Sequence, residues 1–150
     1  SFFTVYANID GFNPLQHEVP VSERPLLDRW ILASLHRLGG KVRHGLDGYE
    51  VTASVRQIQE FVDDLSNWYV RRSRRRFWKS EEDADKVSAY LTLYECLVTV
   101  SKLLAPYTPF MVEEIYRNLV CSIDSRAPES VHLCDYPEAD QNIIDEELLF

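Results

Sequence analysis

Five arginines lie close together in the stretch 65–79, and aromatic side chains bracket them on both sides. The cluster comprises Arg71, Arg72, Arg74, Arg75 and Arg76, with Trp68 and Tyr69 before it and Phe77 and Trp78 after it. Arginine offers planar, permanently charged donor pairs that suit phosphate, and aromatic rings offer faces for stacking. The combination indicates a nucleic-acid partner. The alternative is a solvated basic helix end that pairs with carboxylates elsewhere in the protein.

The arginine cluster ends the clearest predicted helix. Apolar residues recur before it at alternating steps of four and three, which is one seam along an amphipathic helix. The seam comprises Val51, Val55, Ile58, Val62, Leu65 and Tyr69. The side of the helical wheel opposite the seam, which we expect to face solvent or a ligand, carries Arg71, Arg74, Arg75 and Trp78. Arg72 and Arg76 fall near the edge of the seam and are expected to pair with side chains of the protein's own core.

Three further helices are predicted around this one. Pro25 suits the first turn of a helix over about 25–43. A third helix follows the polar break 79–85 and stops at Pro106, and Thr108 with Pro109 then caps and starts a fourth. In the fourth helix we expect Ile115 inward and Glu113 outward. Four amphipathic helices joined by short breaks predict an all-α antiparallel bundle over 25–122.

The two flanks of the bundle are expected to be irregular. Residues 1–24 are interpreted as the tail of a preceding domain and a linker, because Pro14 and Pro20 break any regular pattern there. Residues 123–150 are interpreted as a loop, a short strand at 131–133 and the start of a truncated helix. The apolar run at each end of the chain suggests a piece of a longer protein.

Charge is divided unequally along the chain, whose formal net charge is −8. Residues 1–80 contain 12 Lys or Arg against 9 Asp or Glu, whereas residues 81–150 contain 4 against 15. A polyanion would therefore bind to the basic first half, and the acidic second half would face away from it.

Several kinds of site are excluded by the sequence. Cys96, Cys121 and Cys134 include no CxxC pair, so they predict neither a disulfide framework nor a zinc site, and a reduced, cytoplasmic setting follows. Glu129 and His132 form a Glu-x-x-His match, which we interpret as coincidence because it is single. Phosphate-loop and serine-nucleophile motifs are absent. We expect no catalytic residue, metal or cofactor here, no membrane partner, and no stretch apolar enough to span a membrane.

Four motifs belong together along the chain. They are Ser1-Phe2-Phe3 with Tyr6-Ala7-Asn8; Leu27-Asp28-Arg29-Trp30-Ile31-Leu32; Leu65-Ser66-Asn67-Trp68-Tyr69-Val70-Arg71 running into Arg74-Arg75-Arg76-Phe77-Trp78; and Tyr90 through Tyr116, containing Leu103-Leu104-Ala105-Pro106-Tyr107-Thr108-Pro109-Phe110. With these motifs the chain resembles the helical anticodon-binding region of class I aminoacyl-tRNA synthetases, most closely the isoleucyl-tRNA synthetases. The Asp-Arg-Trp-Ile-Leu motif is shared with valyl relatives, whereas Ser-Asn-Trp-Tyr-Val-Arg is more isoleucyl-like.

The resemblance implies a role in binding tRNA. Catalysis by the full enzyme, with ATP, magnesium and any zinc, would use residues outside this chain, so the fragment alone would be a non-catalytic monomer. The residues then expected to contact tRNA are Arg71, Arg74, Arg75, Trp78 and Lys79, together with Lys41, Arg43, His44 and Tyr49 in the first turn of the bundle. Structural or mixed roles are expected for Arg72, Arg76, Trp68 and Tyr69. Two alternatives stay open, a helical scaffold that docks acidic proteins and the same module from a valyl-type relative.

Overall fold

The structure, a computed structural model, describes residues 12–48, 50–78, 83–144 and 149. These residues contain five α-helices and no β-strand, which confirms the predicted all-α fold. The helices are α1 (Leu26–Asp47), α2 (Val51–Asp64), α3 (Arg71–Trp78), α4 (Ala84–Leu104) and α5 (Pro109–Tyr116). Helices α2 and α3 are the two parts of the second predicted helix, joined by a π-helical turn, Leu65–Val70. A second π-helical turn, Arg117–Cys121, extends α5.

The seam of α2 differs in part from the prediction. Ile58, Leu65 and Tyr69 are buried as expected, but Val51 and Val55 are 49% and 38% exposed. The buried residue of the first turns is Ser54, because it faces Gly45 near the end of α1. A Cβ atom at Gly45 would collide with the Ser54 hydroxyl, so two small residues, rather than the valines, set the close approach of these helices.

Helix α4 is the central element of the core. Its buried residues include Tyr90, Leu93, Cys96 and Leu103, and the Asp83 side chain caps its start by accepting a hydrogen bond from the Lys86 amide at 2.9 Å. By length and composition alone α4 could span a membrane, with a mean hydropathy of 1.3, which the sequence analysis did not expect. Because 61% of that apolar window is buried inside the bundle, we interpret α4 as a core helix.

Helix α5 contradicts two expectations. Ile115 is 38% exposed rather than inward. Glu113 faces the following loop, where its carboxylate accepts hydrogen bonds from the Ser130 hydroxyl and, at 3.2 Å, from the Val131 amide. These bonds hold Val131–Leu133 as a 3₁₀ turn, so the predicted strand at this position is wrong. The Ser130 side chain also accepts a hydrogen bond from the His132 amide, which closes the turn locally instead of leaving its backbone free for a ladder.

The linker before α1 packs on α4. The Phe12 ring stacks on Tyr90, with ring centroids 4.7 Å apart, and His17 stacks on Phe12. Arg24 donates a hydrogen bond to the Thr92 hydroxyl at 3.1 Å and pairs with Glu95 at 3.5 Å. The tail at 1–11 and most of the predicted acidic helix, 145–148 and 150, lie outside the described residues. The proposed domain boundaries at 24 and 122 stay a prediction.

Candidate nucleic-acid interface

Helix α3 has a basic outer side and an apolar inner side. Ser73 and Phe77 are buried in the core. The exposed residues are Arg71, Arg72, Arg74 and Arg75, with Trp78 at 58% exposure. We call these four arginines the arginine face. Within the described part of the chain, none of the four forms an ion pair, so their charges are available to an external anion. Eight helical residues extend about 12 Å, so four positive charges share a short surface.

Arg76 belongs to the interior instead. Its guanidinium binds the Asp28 carboxylate through two hydrogen bonds, Nη1 to Oδ1 at 2.6 Å and Nη2 to Oδ2 at 2.7 Å. Asp28 is completely buried, and the Arg76 side chain is only 13% exposed. A bidentate arginine–carboxylate pair is the strongest common form of ion pair. Arg76 therefore fastens α3 to the start of α1.

Three further groups complete the network around Asp28. The Tyr69 hydroxyl donates to Asp28 at 2.7 Å, and the Ser88 hydroxyl donates to it at 2.6 Å. Arg76 also pairs through Nε with Asp85 at 2.9 Å. The carboxylate of α1 thus receives donors from the π-helical turn, from α3 and from α4, so one buried charge ties all these elements together.

The network changes the acid–base properties of its members. Burial raises the pKa of Tyr69 well above its ordinary value, and the neighbouring Asp28 carboxylate adds to the rise. Burial alone would lower the pKa of Arg76. The hydrogen bonds and the charge of Asp28 outweigh this effect and raise the pKa above its ordinary value. Tyr69 is therefore a neutral hydrogen-bond donor and Arg76 a permanent cation at physiological pH.

Arg72 corrects the sequence interpretation. It was expected to pair within the bundle, but it is exposed, and its guanidinium carbon lies over the Trp68 ring, 4.8 Å from the centroid. The reason is the π-helical turn, Leu65–Val70. Because such a turn closes i→i+5 bonds, it rotates every later residue away from the position that an α-helical wheel predicts. Trp68 itself is 50% exposed, whereas its neighbour Tyr69 is fully buried.

The second predicted group lies at the other end of α1. Lys41, Arg43 and His44 are exposed there, and Arg43 makes an exposed pair with Glu138 at 3.6 Å. Asp28 touches Arg76, and about 24 Å of helix separates Asp28 from His44. Because α1 continues to Asp47 instead of ending near residue 43, Lys41, Arg43 and His44 are helical residues, and they lie at the opposite end of α1 from the contact with α3. Tyr49 and Lys79 lie outside the described residues.

The structural importance of Asp28 was not predicted from the sequence. The available signal was a carboxylate inside an otherwise apolar face, since buried acidic side chains require partners. Asn67, which lines a groove with Trp68, Arg71 and Arg72, was also not considered as a site residue. Among the described residues, no group of three His, Cys, Asp or Glu side chains could hold a metal ion, so no zinc or magnesium role is assigned to them.

Comparison with known proteins gives consistent matches. Residues 28–150 match the family described as the anticodon-binding domain of tRNA ligase. The chain is 61% identical over 148 residues to an isoleucine–tRNA ligase of Dehalococcoides mccartyi strain CBDB1, 51% identical over 148 residues to one of Clostridium novyi, and 50% identical over 150 residues to one of Thermus thermophilus. Each match covers 99% of this chain but only 14% of the relative's length.

Proposed function

We propose that this chain, which belongs to the anticodon-binding domain family of tRNA ligases, is the tRNA-binding bundle of an isoleucine–tRNA ligase. The observation that carries this proposal is the arginine face, four exposed cations with no ion-pair partner in the described part of the protein. Arginine clusters of this kind bind phosphate. The names of the relatives favour this function over a scaffold for acidic proteins and over a valyl-type module.

The whole protein would then join isoleucine to tRNA at the expense of ATP. Relatives about seven times longer support the view that catalysis belongs to other parts of such a protein, since this chain spans 14% of their length. The role of this chain would be to hold the tRNA so that the acceptor end of the tRNA reaches a distant catalytic site. On its own it should catalyse no isoleucine-dependent exchange of pyrophosphate into ATP. A monomeric state and a cytoplasmic location belong to the same proposal, and the free thiols Cys96, Cys121 and Cys134 support a reducing compartment.

The two ends of the bundle would act on different parts of the tRNA. The arginine face would lie toward the catalytic part and hold backbone phosphates, which positions the RNA without reading its sequence. The end of α1 with Lys41, Arg43 and His44, together with Tyr49 after it in the sequence, would lie nearer the anticodon. The distance of about 24 Å along α1 between these ends supports the division, because a single backbone contact cannot cover both.

The experiment compares several tRNAs that differ in their anticodons. Arg71→Ala, Arg74→Ala and Arg75→Ala should each weaken binding of every tRNA by a similar factor, about tenfold for one charge-assisted hydrogen bond lost. Arg56→Ala is the matched control, because Arg56 is an exposed arginine on α2, outside the arginine face. The wild-type chain should bind weakly, with Kd about 10⁻⁴ to 10⁻⁶ M.

Variants of the other end give the complementary result. Lys41→Ala and Arg43→Ala should change the ratio of affinities between tRNAs with different anticodons. If all three arginine-face variants bind tRNA as the wild type and the Arg56→Ala control do, the proposed function of the face is wrong.

A further inference from the structure

A groove beside the arginine face combines aromatic, cationic and amide groups. It is lined by Asn67, Trp68, Arg71 and Arg72, and we call it the Trp68 groove. Trp68 is half-exposed, and the Arg72 guanidinium already covers one side of its ring at 4.8 Å. The groove is open to solvent on the same side of the bundle as the exposed arginines of α3.

Trp68 lies within the π-helical turn and is half-exposed. The same turn buries Leu65 and Tyr69 in the core and leaves Trp68 on the outer side, one turn before Arg72. Tryptophan is normally used where its large apolar surface can be covered. Among the described residues, the Arg72 guanidinium is the one cation placed over this ring, and half of the side chain stays in contact with solvent.

Phosphate binding alone does not account for this arrangement. The arginine face can bind a backbone without any aromatic group, because the phosphate contact requires only charge and donors. A flat indole beside an arginine plane instead matches a nucleobase, since unpaired bases of RNA stack on aromatic rings and on guanidinium planes. The Asn67 amide adds two N–H donors and a carbonyl acceptor at the edge of the same groove.

We propose that the Trp68 groove binds an unpaired nucleobase of RNA, stacked against Trp68 and Arg72, with Arg71 holding the adjoining phosphate. The inference rests on the proposed tRNA-binding function and deepens it, because it names an unpaired base as the group recognised at this end of the bundle. Bases within a duplex are already stacked and cannot enter such a groove. The site should therefore select single-stranded nucleotides over helical RNA.

The test uses two single-stranded probes of equal charge, an octamer of adenylate and an abasic ribose-phosphate octamer. Stacking of one base is worth about 5- to 150-fold in affinity, so the wild-type chain should prefer the adenylate octamer by a factor in that range. Trp68→Leu should reduce the preference to near unity without changing the salt dependence, and Trp68→Phe should keep most of it. Arg72→Ala, at an exposed position, should also lower the preference for the adenylate octamer. If circular dichroism shows a lowered melting temperature for Trp68→Leu, the Arg72→Ala variant becomes the decisive test of the groove.

Three results would overturn the proposal. They are equal affinity of the wild-type chain for both octamers, a base preference that survives in both Trp68→Leu and Arg72→Ala, and no measurable binding of the adenylate octamer. A Trp68-dependent affinity for an octamer of glutamate equal to that for the adenylate octamer would also contradict it. Under any of these results, a loss of tRNA affinity in Arg74→Ala and Arg75→Ala would leave the proposed function intact. Unchanged tRNA binding in those two variants would instead refute the function itself.

Discussion

Replacing Asp28 by Asn should destabilise the bundle more than any exposed charge substitution. The Asp28 carboxylate is fully buried and accepts four hydrogen bonds, from Tyr69 at 2.7 Å, from Arg76 at 2.6 and 2.7 Å, and from Ser88 at 2.6 Å. Asparagine keeps the shape but removes the charge, so Arg76 loses its main counter-ion in a buried position. Breaking one side of a buried ion pair costs about 3–5 kcal/mol.

The structure places the expected loss at the lower end of that range. Asp85 still pairs with Arg76 Nε at 2.9 Å, and Arg76 is 13% exposed, so its charge keeps a second partner and some solvent. A loss of about 3 kcal/mol corresponds to a fall of about 6–12 °C in Tm for a chain of this size. Thermal and urea unfolding followed by circular dichroism would measure both quantities.

Two further variants make the measurement specific to the network. Arg43→Ala is the control, because it breaks an exposed pair with Glu138 and should cost less than about 1 kcal/mol. The double variant Asp28→Asn with Arg76→Gln should lose less unfolding free energy than the two single variants lose in sum. In the double variant neither charge of the Asp28–Arg76 pair is left without its partner. A loss for Asp28→Asn no larger than that of the control would refute the claim that this network fastens α3 to α1.

Two other predictions concern hydrogen bonds of the same bundle. Tyr69→Phe removes one donor to the Asp28 charge and should cost about 1.5–3 kcal/mol in urea unfolding, whereas Tyr94→Phe removes a donor to the uncharged Leu119 carbonyl and should cost about 1 kcal/mol. The hydrogen bond from Ser130 holds the pKa of Glu113 below its ordinary value, so its contribution to stability is complete above about pH 5 and is lost as the pH falls through the lowered pKa. Unfolding free energies measured between pH 3 and 7 should therefore fall less steeply in Glu113→Gln, and equal slopes would contradict this.

Much of the helical fold can be predicted from local signals. Pro25, Pro106 and Pro109 mark helix ends by simple backbone chemistry, and the observed helices begin or end within a few residues of these positions. The period of the apolar residues likewise predicts the long helix that carries the arginines. These signals act within a few residues of the chain, so they can be recognised without knowing what packs against what.

The errors come from contacts between distant parts of the chain. Val51 and Val55 satisfy a helical seam, but the close approach at Gly45 turns Ser54 inward instead. Glu113 looks like an outward charge until the loop at Ser130 supplies its donors. Neither contact can be inferred from periodicity, because the partner residues lie nine or more positions away in sequence.

The site shows the same division. A wheel drawn from the seam places Arg71, Arg74 and Arg75 on the outer surface, and all three are exposed. It fails for Arg72, which is near the edge and moves outward with the π-helical turn. The prediction that Arg76 pairs inside the bundle is confirmed, but its partner Asp28 lies 48 residues earlier, so the identity of the partner requires the tertiary structure.

The salt dependence of tRNA binding tests the central claim most directly. The triple variant Arg71→Ala, Arg74→Ala, Arg75→Ala should reduce the slope of log K against log salt by about 2–3 relative to the wild-type chain, because each phosphate contact contributes about 0.7–0.9. The Arg56→Ala control should keep the wild-type slope, and melting curves should show all the proteins folded. An unchanged slope in the triple variant, together with a lowered Tm, would show that these arginines serve the fold and would contradict the assignment of a tRNA-binding face.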